Sequence, residues 1–322
     1  MAKWIKNILG IVIAALLIWY LGKHWDKLSA LLKLGPVELF AIYFITFLSM
    51  LSNSYIVVVL LKVLRVRTRF WDMVLLQNAT TLLNYLPMKF GTIFRANYLK
   101  RHYGLSYAHF GAFFVYLTLL ITAATAVAGV TVLLLVYGVT GYEAKLVAGV
   151  FLSVFVCSIF LAFMPLPMPK GSNKLSAVLR NFLIGRGRVK TDKRALIYGG
   201  VFLIINLILY SVRLGVIYNS MGQNIHPAGF LILGALGYFI LFLGLTPGSL
   251  GIRELLLGSG AVVLGLTLEV GILAALIDRA IMLSWSFVVG SACTIWLWHK
   301  SPSDFNQTKR DSIKSSCNQI DT

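Results

Sequence analysis

The chain has 322 residues, 58% of them apolar and only 12% charged, with a mean hydropathy of +0.83. A soluble domain carries about 25% charged residues, so that class is excluded, and apolar runs near the ~20 residues of a spanning helix make this a polytopic α-helical membrane protein. The net charge of +18 is the Lys/Arg excess of cytoplasmic loops, and with no basic–aromatic recognition pattern it implies no nucleic-acid partner.

Lys3 and Lys6 precede an apolar run, residues 8–21, that ends in Trp19-Tyr20. No small-residue cleavage site follows, so the run reads as a first span and not as a signal peptide. Gly35-Pro36 opens a second span, 37–61, since proline suits the first turn of a helix. Lys62, Arg65, Arg67 and Arg69 then mark a cytoplasmic loop. Residues 73–86 form a short apolar run that breaks at Pro87, and Lys89, Arg95, Lys100 and Arg101 follow. Such a charged return is a poor span, so 73–102 reads as a re-entrant hairpin.

Two spans come next, 107–137 and 144–164, the second stopped by Pro165, Pro167 and Pro169. The segment 166–195 holds eight Lys/Arg against one Asp, Asp192, and marks a second cytoplasmic loop. Within it Leu175, Val178, Leu179, Phe182 and Leu183 fall at helical spacing, which admits an interfacial helix on anionic lipid or a solvated linker. After the span 196–218, Pro227 opens a helix of about 16 residues, broken at 247–251 before a second arm, 252–266. At 1.5 Å per residue each arm covers about 24 Å or less, short of a ~30 Å core. A last span, 270–298, precedes a polar tail, 301–322, expected to be disordered.

Six full spans with the N-terminus inside place 62–69, 166–195 and the tail in the cytoplasm. Lys23, Lys27 and Lys33 then fall outside, against the charge rule. The first hairpin enters from the basic side and the second from the neutral, outer side. The two also share punctuation. Pro87, Gly91, Arg95, Gly104-Leu105-Ser106 and Gly129 face Pro247, Gly251, Arg253, Gly265-Leu266-Thr267 and Gly290, with the proline and glycine landmarks offset by 160 or 161. Repeat units of about 73–137 and 228–298 in opposite orientation make an inverted repeat, whose substrate site gathers where broken helices meet.

Arg253 and Glu254 follow the second break, and Asp278-Arg279 lie two turns into the next helix. Each charge at membrane depth costs about 2.5–3.5 kcal/mol, so these four require pairing or water. Candidate pairs are Arg253–Asp278 and Glu254–Arg279; the sequence does not fix which. They serve either to fasten helices or to line a polar cavity for a headgroup or protons. The helix starts after Gly91 and Gly251 offer free N–H groups to an anion such as phosphate, with Arg95 and Arg253 beside them. Lys100 and Arg101 read as interfacial anchors. Asn78, Asn84 and Asn206 read as inter-helix hydrogen-bonding groups, and Arg213 shares a span with Asn206.

Cys157, Cys293, Cys317 and five scattered histidines show no metal-like spacing, so neither a metal nor another cofactor is expected. No phosphate-binding loop, nucleophile elbow or zinc-protease motif is present, and no enzymatic activity is expected.

The run Leu245-Thr-Pro-Gly-Ser-Leu-Gly-Ile-Arg-Glu254, the later Ala-Leu-Ile-Asp-Arg279 helix and the first-half Leu86-Pro87, Gly91, Arg95 and Leu99 resemble the lysylphosphatidylglycerol synthase transmembrane-region family, a flippase-like domain. The resemblance covers roughly residues 5–298. It implies a bacterial or archaeal cytoplasmic membrane protein, multi-pass, with residues 1–300 as the membrane domain; the charge pattern puts both termini in the cytoplasm. In fused members the domain moves modified phospholipids between leaflets. Pro247, Gly248, Gly251, Glu254 and Arg279 carry over from the motif. This chain departs where the first half commonly has a second glycine and an acidic residue, having Lys89 and Thr92 instead. It also has no aminoacyl-transfer domain, so lysyl transfer is not carried over.

The expected function is translocation of an anionic-headgroup phospholipid or polyprenyl-linked glycolipid, with Arg95, Pro247, Gly248, Gly251, Arg253, Glu254, Asp278 and Arg279 at the substrate site. Two alternatives stand beside it: a non-transporting membrane partner of a lipid-modifying or glycan-assembly enzyme, docked through 166–195, and a proton-coupled small-solute transporter.

Overall fold

Proline at the first helical position and glycine before it start α1, Pro36–Val63, and Glu38 in its first turn complements the helix dipole. The computed structural model describes residues 34–86, 90–132, 134, 142–163, 180, 183, 193–243 and 252–299. The expected span at 8–21, residues 87–89, most of the basic 166–195 loop, the 247–251 break and the 301–322 tail lie outside the described residues. The rest is helical: α2 Phe70–Leu83, α3 Phe90–Tyr103, α4 Tyr107–Val132, α5 Tyr142–Phe163, α6 Lys193–Ser220, α7 Pro227–Leu243, α8 Ile252–Val263 and α9 Leu268–Trp285. A π-turn at Ser286–Gly290 carries α9 into α10, Ser291–His299. No strand occurs among the described residues.

Four of the described helices are long and apolar enough to cross a membrane: α1, α4, the 197–220 part of α6, and the 268–297 run through α9 and α10. The expectation of six is met only in part, because the first span is outside the described residues and α5, at 22 residues, is not among the four. The arms α2 and α3 have 14 residues each, or about 21 Å. They form an antiparallel hairpin: Tyr103 donates to Asp72, Arg95 to Gln77 and the Thr92 N–H to Asn84. The arms α7 and α8 have 17 and 12 residues.

Helix α1 lies along α6 for much of its length, and a polar seam runs between them. Thr46 accepts from Arg213, Ser49 donates to Asn206 at 2.8 Å, Ser52 reaches the Phe202 carbonyl, and Tyr55 stacks against Phe202. As numbers rise along α1 they fall along α6, so the two helices are antiparallel. Both are 28 residues long and begin 157 residues apart. Each heads a series in the same order: long helix, short arm, break, short arm, long helix. The packing is reciprocal as well. Helix α4 packs on α7, and the π-turn with α10 packs on α2, so each unit's last helix lies on the other unit's first arm.

The joints after the hairpins are built alike. Gly104 and Gly265 take positive φ, +70° and +83°, a conformation that glycine adopts without strain and that stops a helix. The following leucines bond back to the preceding helix, Leu105 to Leu99 and Leu266 to Ala261. Ser106 then accepts from the His109 N–H and Thr267 from the Val270 N–H, the hydroxyl caps that start α4 and α9.

Beyond the joints the units differ. Gly271 of α9 packs against the Gly258 Cα of α8 with no room for a side chain, and such small residues let membrane helices close to backbone contact. At the matching positions, 161 residues earlier, stand Asn97 and Phe110, and α3 rests mainly on α2.

Candidate functional site

Close packing of α8 on α9 decides which charges meet. Arg253 pairs with Asp278, and Glu254 pairs with Arg279. Both pairs admitted by the sequence are formed. A further cation joins them from α6, where Arg213 Nε lies 2.8 Å from Asp278 Oδ1, ion-paired although its N–H is not aligned for a hydrogen bond. Asp278 is wholly buried and thus sits between two guanidiniums. Arg213 also donates to Thr46 at 3.2 Å and to the Met282 sulfur.

Tyr210, one turn before Arg213, organises the cations. Its hydroxyl accepts from Arg253 Nη2 at 2.7 Å, and its ring lies 5.0 Å from the Arg213 guanidinium and 5.8 Å from that of Arg253, within cation–π range. Tyr238 packs edge-on against Tyr210. Tyr85, at the end of the first hairpin's leading arm, lies within electrostatic reach of Arg253, Arg279, Asp278 and Arg213. The end of that arm is therefore near enough for the charges that follow the second break to act on the Tyr85 hydroxyl.

Among the described residues, three guanidiniums face two carboxylates in this cluster, leaving one positive charge over. Four of the five side chains are nearly closed off from solvent, while Arg253 keeps 17% exposure. Glu254 also lies in the first turn of α8, where the helix dipole favours a carboxylate. The net effect is a positive site whose accessible member is Arg253, backed by a fixed aromatic face.

The structure separates the other expected site residues. Arg95 is buried in α3, where its Nη1 donates to Gln77 at 3.1 Å, its Nε has no partner, and its guanidinium lies 6.0 Å from the Phe113 ring. It does not match Arg253 in place. Arg95 is four residues after Gly91 and Arg253 two after Gly251, and two residues turn a helix by about 200°. The free helix start expected after Gly91 is also altered: α3 begins at Phe90, and Asn84 accepts from the Thr92 N–H at 3.1 Å. Pro247, Gly248 and Gly251 lie outside the described residues, though α8 begins at Ile252 as the sequence predicts. Among the asparagines, Asn78 accepts from Trp285, and Asn206 joins Ser49, Ser52 and Asn53, so they do bridge helices.

Tyr85, Tyr210 and Thr46 had no signal in the sequence, being ordinary residue types in an aromatic-rich chain. Arg213 had one, since an arginine inside an apolar span needs a partner. No group of three or more His, Cys, Asp or Glu residues suited to a metal occurs among the described residues.

Long apolar helices, two broken arms and a buried cluster of paired charges together define an integral membrane protein of the helical class. The chain belongs to the family described as the lysylphosphatidylglycerol synthase TM region, whose model matches residues 7–290, a membrane domain of the flippase-like kind. No curated protein and no solved structure matches it.

Proposed function

We propose that the chain is a lipid translocase that carries an amphiphile with an anionic headgroup, a phospholipid or a polyprenyl-linked glycolipid, between the leaflets of a bacterial or archaeal cytoplasmic membrane. In this reading α1–α4 and α6–α10 are two units of an inverted repeat, with both termini in the cytoplasm and the two hairpins dipping in from opposite faces. The antiparallel course of α1 and α6 supports opposite orientation, and arms of 12–17 residues support dipping over crossing.

The observation that carries the reading is the surplus guanidinium at the meeting of the two hairpins. A headgroup phosphate at Arg253 would complete the charge balance, and Arg binds phosphate through paired N–H donors. Tyr210 holds the guanidinium in place from behind. Glu254–Arg279 and Arg213–Asp278 fix the wall against which Arg253 works. The start of α8 adds N–H groups aimed at an anion. This requires no covalent chemistry and no cofactor.

The test is transbilayer movement of short-chain fluorescent phosphatidylglycerol in proteoliposomes. Arg253→Gln, at the most exposed member of the cluster, is expected to slow movement at least tenfold while the melting temperature stays near wild type. Movement at the wild-type rate would overturn the assignment. Uptake of a small anion with no lipid movement would replace it with solute transport.

A further inference from the structure

Arg95 is a second cation within the helical bundle, and its surroundings differ from those of the Arg253 cluster. It is 8% exposed, on a helix whose only acidic neighbour across the hairpin, Asp72, is engaged by Tyr103. Its partners are the neutral amide of Gln77 and the ring of Phe113, and its Nε has none. Among the described residues no carboxylate pairs with it. The second unit shows what a pairing would look like, because Asp278 and Arg279 answer the arginine and glutamate there. At the matching positions, 161 residues earlier, stand Leu117 and Thr118. Burying a guanidinium without a counter-charge is strongly unfavourable, so the site is built for an anion that the protein itself does not supply.

We infer that Arg95 and Gln77 form a second phosphate site, in the first hairpin, separate from the Arg253 cluster. The inference rests on the translocase reading and gives it a route. Gln77 takes Nη1, which leaves the Nε–Nη2 edge of the guanidinium as the fork for a phosphate. Gln77 precedes Tyr85 by eight residues, or about 12 Å along the arm, and Tyr85 reaches the Arg253 cluster. Lys100 and Arg101, exposed at the far end of α3, stand one to two turns beyond Arg95. Cations therefore line α3 from its basic end to its middle, and a headgroup passes from Lys100 and Arg101 to Arg95 and then to Arg253.

Native mass spectrometry of the full chain tests the site, with protein purified in phosphate-free detergent and titrated with phosphatidylglycerol or with inorganic phosphate. Wild type is expected to bind two phosphatidylglycerol molecules. Arg95→Gln and Gln77→Glu are each expected to retain one, with the other weakened at least tenfold. Gln77→Glu controls for misfolding, because it gives Arg95 an internal carboxylate: the melting temperature should hold or rise while the lipid is lost. Displacement of that lipid by millimolar inorganic phosphate would assign the site to phosphate in general, and failure to displace it would assign the site to lipid headgroups; either upholds the anion site. Unchanged lipid and phosphate binding in both variants would overturn it. If Gln77→Glu loses one lipid while Arg253→Gln translocates normally, the Arg95 site stands and the translocase assignment of Arg253 falls.

Discussion

Ser49 and Asn206 stand 157 residues apart and are joined by a 2.8 Å hydrogen bond, and 157 is also the offset between the starts of α1 and α6. Equivalent positions touch each other only on or near a symmetry axis. Under the proposed inverted repeat, the seam between α1 and α6 lies near that axis, with Asn206 bonded to three residues of α1.

This contact predicts a cross-link. With the three native cysteines replaced by alanine, Ser49→Cys/Asn206→Cys should form a disulfide under mild oxidation, seen as a mobility shift reversed by reductant. A pairing of Ser49→Cys with Ile217→Cys should not form one. Asn206→Leu should destabilise the protein by roughly 1–2 kcal/mol, read as a lowered melting temperature in detergent, because it strands hydroxyls and an amide in α1.

The proposed opposite entry of the hairpins has its own readout. Lys100 and Glu269 are exposed, one at the end of the first hairpin and one just after the second. In a cysteine-free chain, Lys100→Cys should react with an impermeant maleimide only from the cytoplasmic face and Glu269→Cys only from the outer face. Labelling of both from one side would remove the inverted arrangement.

The Glu254–Arg279 pair is buried on both sides, so removing one member leaves a bare charge. Glu254→Gln or Arg279→Gln should each cost about 3–5 kcal/mol, measured by thermal unfolding in detergent. The exchange Glu254→Arg/Arg279→Glu should recover more than half of that loss. Recovery should remain incomplete, because arginine in the first turn of α8 opposes the helix dipole.

Two glycines should fail for different reasons. A methyl at Gly91 would collide with the Thr80 carbonyl and the Asn84 side chain, so Gly91→Ala should lower stability by about 1–3 kcal/mol and open the α2–α3 hairpin. Gly104 meets nothing nearby but holds φ at +70°. There Gly104→Ala should cost about 1 kcal/mol and Gly104→Asn less, since asparagine tolerates that conformation. The melting temperatures of the three variants give the comparison.

The sequence revealed what physics makes costly. Charges in apolar helices announced themselves, and the pairs formed by Arg253, Glu254, Asp278 and Arg279 are those their spacing admitted. Gly104-Leu105-Ser106 and Gly265-Leu266-Thr267 were legible as shared punctuation, and the structure gives the reason: positive φ and hydroxyl caps at matching joints. The seam between α1 and α6 was not legible, since serines and asparagines within apolar runs satisfy one another only after the helices meet. Nor was the difference between Arg95 and Arg253. Both follow a proline and glycine break and so read as counterparts, but Arg95 stands four residues after its glycine and Arg253 two, and the helix sends one toward α2 and the other toward α9. Tyr85 and Tyr210 gave no sign, because a tyrosine next to an arginine in space is not next to it in the chain.

The π-turn at Ser286–Gly290 gives the last membrane helix one residue more in that turn than α-helical spacing would use. Val288, 73% exposed, is that surplus in effect. Excising it would restore ordinary pitch and leave Cys293 and Leu297 on the same side as before, so this helix has a place where its length can change by one without re-aiming its far end. The face that lies on α2 is thereby set apart from the face that carries Asp278 and Arg279, and each can be altered without rotating the other.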